Sequence, residues 1–194
     1  MNVLRKCATA SMVGGMMMLG ISAAHATVVN FDDLTGSGTV ADGYGGINWD
    51  SNWTYYDGAQ DPYTPSSDFT RIYTNYDLHA AQAEESVAFY FGTGSIFDGA
   101  YFSGAGVGTV SFSLYLNSAL VATSSLLVTT ATPTFLFSGY AGLVDEVRVN
   151  GFNGYYVMDD VTYNETSPVP LPAGVWLLLT GIGGIAGIRK LRKA

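Results

Sequence analysis

Cysteine, lysine and histidine are scarce in this 194-residue chain, and each shortage removes a class of chemistry. The one cysteine is Cys7, so the span from Thr27 to Ser167 holds neither a disulfide nor a catalytic thiol. The two histidines are His25 and His79. A single histidine in that span, with no cysteine beside it, does not make a zinc centre. No Gly-x-Ser-x-Gly supports a Ser-His-Asp triad, and His79 reads as an ordinary surface residue. Of the 8 Lys and Arg, only Arg71 and Arg148 lie between Thr27 and Ser167, against all 16 Asp and Glu. Phosphate neutralisation needs clustered cations, so nucleic-acid binding is excluded. An acidic surface suits solubility and divalent cations instead. No acidic loop has the EF-hand spacing. Gly104-x-Gly106-x-Gly108 has no helix behind it and is not a phosphate loop.

What is present is concentrated first at the two ends. Arg5 and Lys6 precede an uncharged run from Met12 to Ser22, and Ala24-His25-Ala26 follows in a small-x-small pattern. Residues 1–26 thus read as a secretory signal peptide, cut by signal peptidase to leave Thr27 first; a retained anchor is the alternative. At the other end Pro168, Pro170 and Pro172 form a stiff, extended entry. Ala173 to Ile188 carry no charge, and Arg189, Lys190, Arg192 and Lys193 close the run as a basic stop. An uncharged run with a basic flank reads as a transmembrane helix whose positive end is cytoplasmic. The run is short against the roughly 17–25 residues a span wants, and a buried core helix is the alternative.

Val169-Pro170-Leu171-Pro172-Ala173, then a short apolar run, then a terminal basic cluster resembles the PEP-CTERM sorting signal in its VPLPA variant. The resemblance covers about Val169 to Ala194, within a C-terminal segment of residues 168–194. It implies processing near the motif by an exosortase in a Gram-negative, often biofilm-forming bacterium. The protein would pass through the inner membrane to the outer surface or extracellular matrix. The more typical Pro-Glu-Pro is absent, so the sorting enzyme would be the one matched to the variant motif.

Residues 27–167 are the size of one domain. Val87, Phe89 and Phe91 alternate with Ala88 and Tyr90, and Val110, Phe112, Leu114 and Leu116 with Ser111, Ser113 and Tyr115. Phe135 and Phe137 flank Leu136, and Val147 and Val149 flank Arg148. Period two over short runs predicts half-buried strands. Gly104-Ala105-Gly106, Asn117-Ser118, Gly139 and Asn150-Gly151 punctuate them, the last suiting a tight hairpin turn. The expected fold is all-β, a single β-sandwich of jelly-roll type. Val29 to Leu34, Asp42 to Gly46, Gly99 to Ser103 and Tyr156 to Tyr163 are similar to pieces of the jelly-roll domains found ahead of this sorting signal. Those domains look like carbohydrate-binding modules, and a ligand does not transfer with a fold.

Two groups carry candidate binding chemistry. Trp49, Trp53, Tyr55 and Tyr56 are interleaved with Asp50, Asn52, Asp57 and Gly58. Exposed rings would stack on the apolar faces of a saccharide, and Asp and Asn would bind its hydroxyl rim. The competing reading puts these aromatics in the core. The second group is Asp32, Asp33, Asp159 and Asp160. In the register Tyr155, Val157, Asp159, Val161, Tyr163, an aspartate falls on the apolar face. A buried carboxylate must be paired or bound. Arg71 or Arg148 would pair with it, or it would join a structural calcium. The expectation is a secreted protein that associates with extracellular polysaccharide, not an enzyme. The alternatives are a structural or adhesive matrix protein without a sugar ligand and, less favoured, a glycoside hydrolase.

Overall fold

The computed structural model describes residues 26–74, 84–106, 108–152 and 155–164. The expected sorting signal over 168–194, residues 1–25 of the expected signal peptide 1–26, and His79 lie outside the described residues. No helix among the described residues is long and apolar enough to cross a membrane.

The described chain is all-β. Its strands are β1 (Ala26–Val29), β2 (Ser37–Thr39), β3 (Ile47–Trp49), β4 (Trp53–Asp57), β5 (Thr70–Thr74), β6 (Glu84–Gly104), β7 (Thr109–Leu116), β8 (Ala119–Thr123), β9 (Leu127–Val128), β10 (Thr134–Phe137), β11 (Val144–Phe152) and β12 (Tyr156–Asn164). A 3-10 turn, Tyr44–Gly46, precedes β3. All pairings are antiparallel, and the path runs β2-β4-β5-β12-β6-β11-β7-β8. β1 joins β12, β3 and β10 join β6, and β9 joins β7.

β6 organises the sheet. Its first part pairs with β3 and β11, and its last part with β12 and β10. The two halves of the sheet meet across one aromatic core. Phe97 and Phe102, late in β6, lie 4.8 and 5.6 Å from Phe112 of β7, ring centre to centre. Phe91, early in β6, lies 5.0 Å from Tyr163 of β12.

Period-two alternation accounts for this packing. Val87, Phe89, Phe91, Val110, Phe112, Leu114, Val147 and Val149 are all buried; of the residues between the first three, Tyr90 is exposed and Ala88 is buried as well. Asn117 and Ser118 both have positive φ, 51° and 65°, and make the tight turn between β7 and β8. Asn150-Gly151 is not a turn. Both residues are interior to β11, opposite Ser86 and Glu85. The side-chain amide of Asn150 donates to Ser113 Oγ at 2.9 Å. A Cβ on Gly151 would lie 2.8 Å from the Tyr156 ring, so glycine there makes room for packing instead of bending the chain.

Candidate functional site

The site grows from an irregularity in β12. Tyr156, Met158, Val161 and Tyr163 all join the core, so the alternation slips by one residue between Met158 and Val161. The slip sits at Asp160, whose φ is 48°, and the register on β6 shifts between Asp159 and Thr162. This is a β-bulge, and aspartate tolerates its left-handed backbone better than most residues. The sequence register that put Asp159 on the core face with Val161 and Tyr163 is therefore corrected. Asp159 shares the opposite face with Val157.

Asp159 is nonetheless only 2% exposed, because the 58–69 loop crosses it. Its Oδ2 accepts the backbone N–H groups of Ser66 and Ser67, each at 2.9 Å. The same oxygen accepts the hydroxyls of Ser66 and Ser67 at 3.1 and 3.0 Å. Oδ1 accepts the Asp160 N–H at 2.8 Å. The loop is pinned a second time where Ser103 Oγ donates to Thr64 O at 2.5 Å. Burial pushes the Asp159 carboxyl up to about 7, with the Asp160 charge adding and the Ser67 donors opposing.

Neither arginine pairs with Asp159, which corrects that expectation. Arg148 is bound to Glu146 and lies 4.6 Å from the Tyr115 ring centre. Arg71 is buried, and its guanidinium donates to Gly58 O and to Gln60 Oε1. Its Nε is buried without a partner. Burial lowers its pKa. The Tyr56 ring lies 4.9 Å from its guanidinium carbon. Hydrogen bonds from two serines thus do for Asp159 what a salt bridge was expected to do.

The other acids divide. Asp160 Oδ2 accepts Ser66 Oγ at 2.6 Å, and Asp32 Oδ1 accepts Ser67 Oγ at 3.4 Å. Asp32, Asp159 and Asp160 therefore share two serine hydroxyls, and burial raises the Asp32 carboxyl. The set is all hard oxygen, the donor type that calcium takes. Among the described residues no three His, Cys, Asp or Glu side chains group closely enough to hold a metal ion. Asp33 turns away and accepts the Tyr44 hydroxyl. Burial and that carboxylate hold the Tyr44 phenol well above its usual pKa, so it stays a proton donor.

Asp33 and Tyr44 line an open hollow of about 440 Å³ between β1 and the 3-10 turn, together with Asn30, Gly45, Gly46 and Tyr163. Gly45 has φ 61°, and a Cβ there would lie 2.6 Å from Val29, so glycine is what lets the turn close against β1. Tyr163 fixes the floor by donating to Gly45 O at 2.8 Å.

The four aromatics separate by strand face. Trp49 and Trp53 are buried, and their indole N–H groups donate to Tyr44 O and Ala88 O at 2.8 and 2.9 Å. Tyr55 packs against the core, and Tyr56 alone is exposed. Both tryptophans are core residues, so neither offers a ring to a ligand. Sequence reasoning missed Ser66, Ser67 and Tyr44. Serine runs are common, and only a partner 93 residues away gives this one its role. A comparison of the chain with family models, curated proteins and solved structures finds no match.

Proposed function

We propose that the chain is an exported surface protein whose all-β domain is a jelly-roll sandwich associated with extracellular polysaccharide. The sorting half of this reading is carried by one sequence observation. Val169 to Ala173, the uncharged run and the four basic residues occur in the order of an exosortase substrate. Mass spectrometry of the exported protein tests it. The expected mature chain lacks Arg189 to Ala194, and a mature chain that keeps them would sink the reading.

The polysaccharide half is supported by the hollow beside the 3-10 turn. Asn30 and Asp33 offer donors and acceptors, and Tyr44 offers a ring, the combination a sugar's hydroxyl rim and C–H face take. Tyr56, exposed and backed by Arg71, is a second contact of the same kind. Asp33→Ala and Tyr56→Ala should each lower retention of the protein on the producing cell's polysaccharide. If neither variant does, the domain is better described as a structural or adhesive matrix protein. The burial of Trp49 and Trp53 favours that second reading.

A structural calcium belongs to the same proposal. Asp32, Asp159 and Asp160, which share the Ser66 and Ser67 hydroxyls, would hold it by drawing closer together than they lie in this structure. A cation bound only by the folded state stabilises by about 2.7 kcal/mol at a hundredfold excess over its Kd. A melting temperature unchanged by chelator would remove calcium from the account.

A further inference from the structure

All 16 acids of the chain lie outside one long stretch: from Gly99 to Val144 there is no Asp, Glu, Lys, Arg or His. That stretch runs from late β6 to the start of β11 and includes β8, β9 and β10. Among the described residues β8 and β9 pair only with β7, and β10 only with β6, so each is an edge.

These edges share a flank. Phe97 and Phe102 touch Phe112, so the second half of β6 faces β7. β10 lies beyond the first and β8 and β9 beyond the second. Only residues 129–133 separate β9 from β10, a reach of at most about 20 Å. On this flank Leu126 is 71% exposed, Phe137 70%, Val128 59% and Leu120 56%. Proteins ordinarily guard edge strands with lysine, with inward charge or with proline. Here the guards are reduced to Pro133 and one register shift in the β7–β8 pairing.

Charge says what such a flank can meet. The body of the domain is strongly acidic, and its two cations are engaged, Arg71 by burial and Arg148 by Glu146. Two copies approaching through an acid-bearing face would set carboxylate against carboxylate. The uncharged flank is where like bodies meet without that repulsion. A cationic partner would choose the acidic faces instead.

We propose that the flank of β8, β9 and β10 is a self-association surface that takes a second copy of this chain, edge strand against edge strand. Unpaired backbone N–H and C=O groups supply the pairing, and Phe137, Val128 and Leu120 supply the apolar contact. The strands of the flank carry no charge, Asp98 and Asp145 stand only at its rim, and the bodies repel, so added salt should strengthen association, the reverse of a salt-bridged interface.

Sedimentation of the full chain in mild detergent, over a wide range of protein and salt concentration, tests this. The expected result is reversible association that tightens with salt. Phe137→Glu combined with Val128→Glu should weaken it about tenfold or more, because each interface then gains like charges. Phe69→Glu, at an exposed phenylalanine off the flank, should leave it unchanged. Melting temperatures report whether each variant is folded. Where the double variant fails to fold, Thr134→Cys in a Cys7→Ser background should give a disulfide dimer on oxidation, and Ser51→Cys should not. A single species at every concentration, undiminished association of the double variant, or equal weakening by Phe69→Glu overturns the proposal. Loss of polysaccharide retention by the double variant, with association intact, would make the flank a glycan surface and also overturn it.

Discussion

Two aromatic groups in this domain ended on opposite sides of what their local sequence implies. Trp49, Trp53 and Tyr55 sit in a stretch rich in Gly, Asp and Asn, the texture of an exposed binding loop. They line or pack against the core. Phe135 and Phe137 sit in Thr-Phe-Leu-Phe, the texture of a half-buried strand, and Phe137 is the outermost aromatic ring of the described chain. Position in the sheet explains the reversal. β3 lays Trp49 on Phe89 at 5.2 Å and β4 sets Trp53 against Trp49 at 5.9 Å, while among the described residues β10 has a neighbour on one side alone. Phe135 is half sheltered because Gly99 opens a seat for its ring, 2.8 Å from where a Cβ would stand. Phe137 lies 4.8 Å from the Phe135 ring, centre to centre, and stays exposed. Texture reports what a segment tolerates; the number of neighbouring strands decides what it covers.

The largest expected effect breaks the first group. Trp53 is fully buried, with its indole N–H on Ala88 O and its ring 5.9 Å from Trp49. Trp53→Ala should cost about 3–5 kcal/mol, the range for a large aromatic lost from a core. Urea unfolding reads this directly. A cost under about 1 kcal/mol would return Trp53 to the surface and restore the expectation of a ring stacked on a saccharide.

The sequence was legible where local rules govern. Alternation at 87–91, 110–114 and 147–149 gave strands with the correct buried faces, because a period of two needs no knowledge of the partner. Asn117-Ser118 was readable as a turn for the same reason. Asp159 was recognised as anomalous, but its face and partners were misjudged. A one-residue bulge flips every side chain after it, and two adjacent aspartates do not announce one. Asn150-Gly151 misled because the glycine serves the Tyr156 ring, a contact no local motif encodes. Parity in β10 was ambiguous, since Leu136 and its two phenylalanine neighbours are all apolar.

An intermediate effect belongs to the Asp159 latch, the polar counterpart of the tryptophan core. Asp159→Ala would strand the Ser66 and Ser67 donors and cost about 1–3 kcal/mol, with faster proteolysis inside the 58–69 loop. Its charge has a separate signature. The folded carboxyl is raised to about 7, above its ordinary value of 3.8, so the folded state keeps a proton that the unfolded chain has lost. Stability from this group is full below pH 4 and is lost as pH rises toward 7. With chelator present, the melting temperature should climb as pH falls through that window, and Asp159→Asn should flatten part of the climb. An unchanged slope in Asp159→Asn would mean other carboxylates carry it.

A smaller effect is expected at Tyr56, whose ring covers Arg71 at 4.9 Å. Tyr56→Ala should cost about 0.5–1 kcal/mol, the scale of an exposed cation–π contact. Tyr56→Phe should recover most of it, because the ring face supplies the attraction. A Tyr56→Phe variant as destabilised as Tyr56→Ala would locate the contribution in the hydroxyl.

The smallest effect sharpens the comparison most, because it is read between adjacent residues of one strand. Leu136 is 3% exposed and faces the core, whereas Phe137 is 70% exposed and faces out. Leu136→Ala should cost about 2–5 kcal/mol, as buried leucines do. Phe137→Ala should change stability by less than about 0.5 kcal/mol in dilute protein, as surface substitutions usually do, despite removing the larger side chain. Raising the protein concentration should open a gap between wild type and Phe137→Ala and leave the Leu136→Ala difference unaltered. Association stabilises by mass action only the chain that still has its contact surface. If the two variants instead cost the same in dilute protein, β10 is buried on both faces and its edge is already covered.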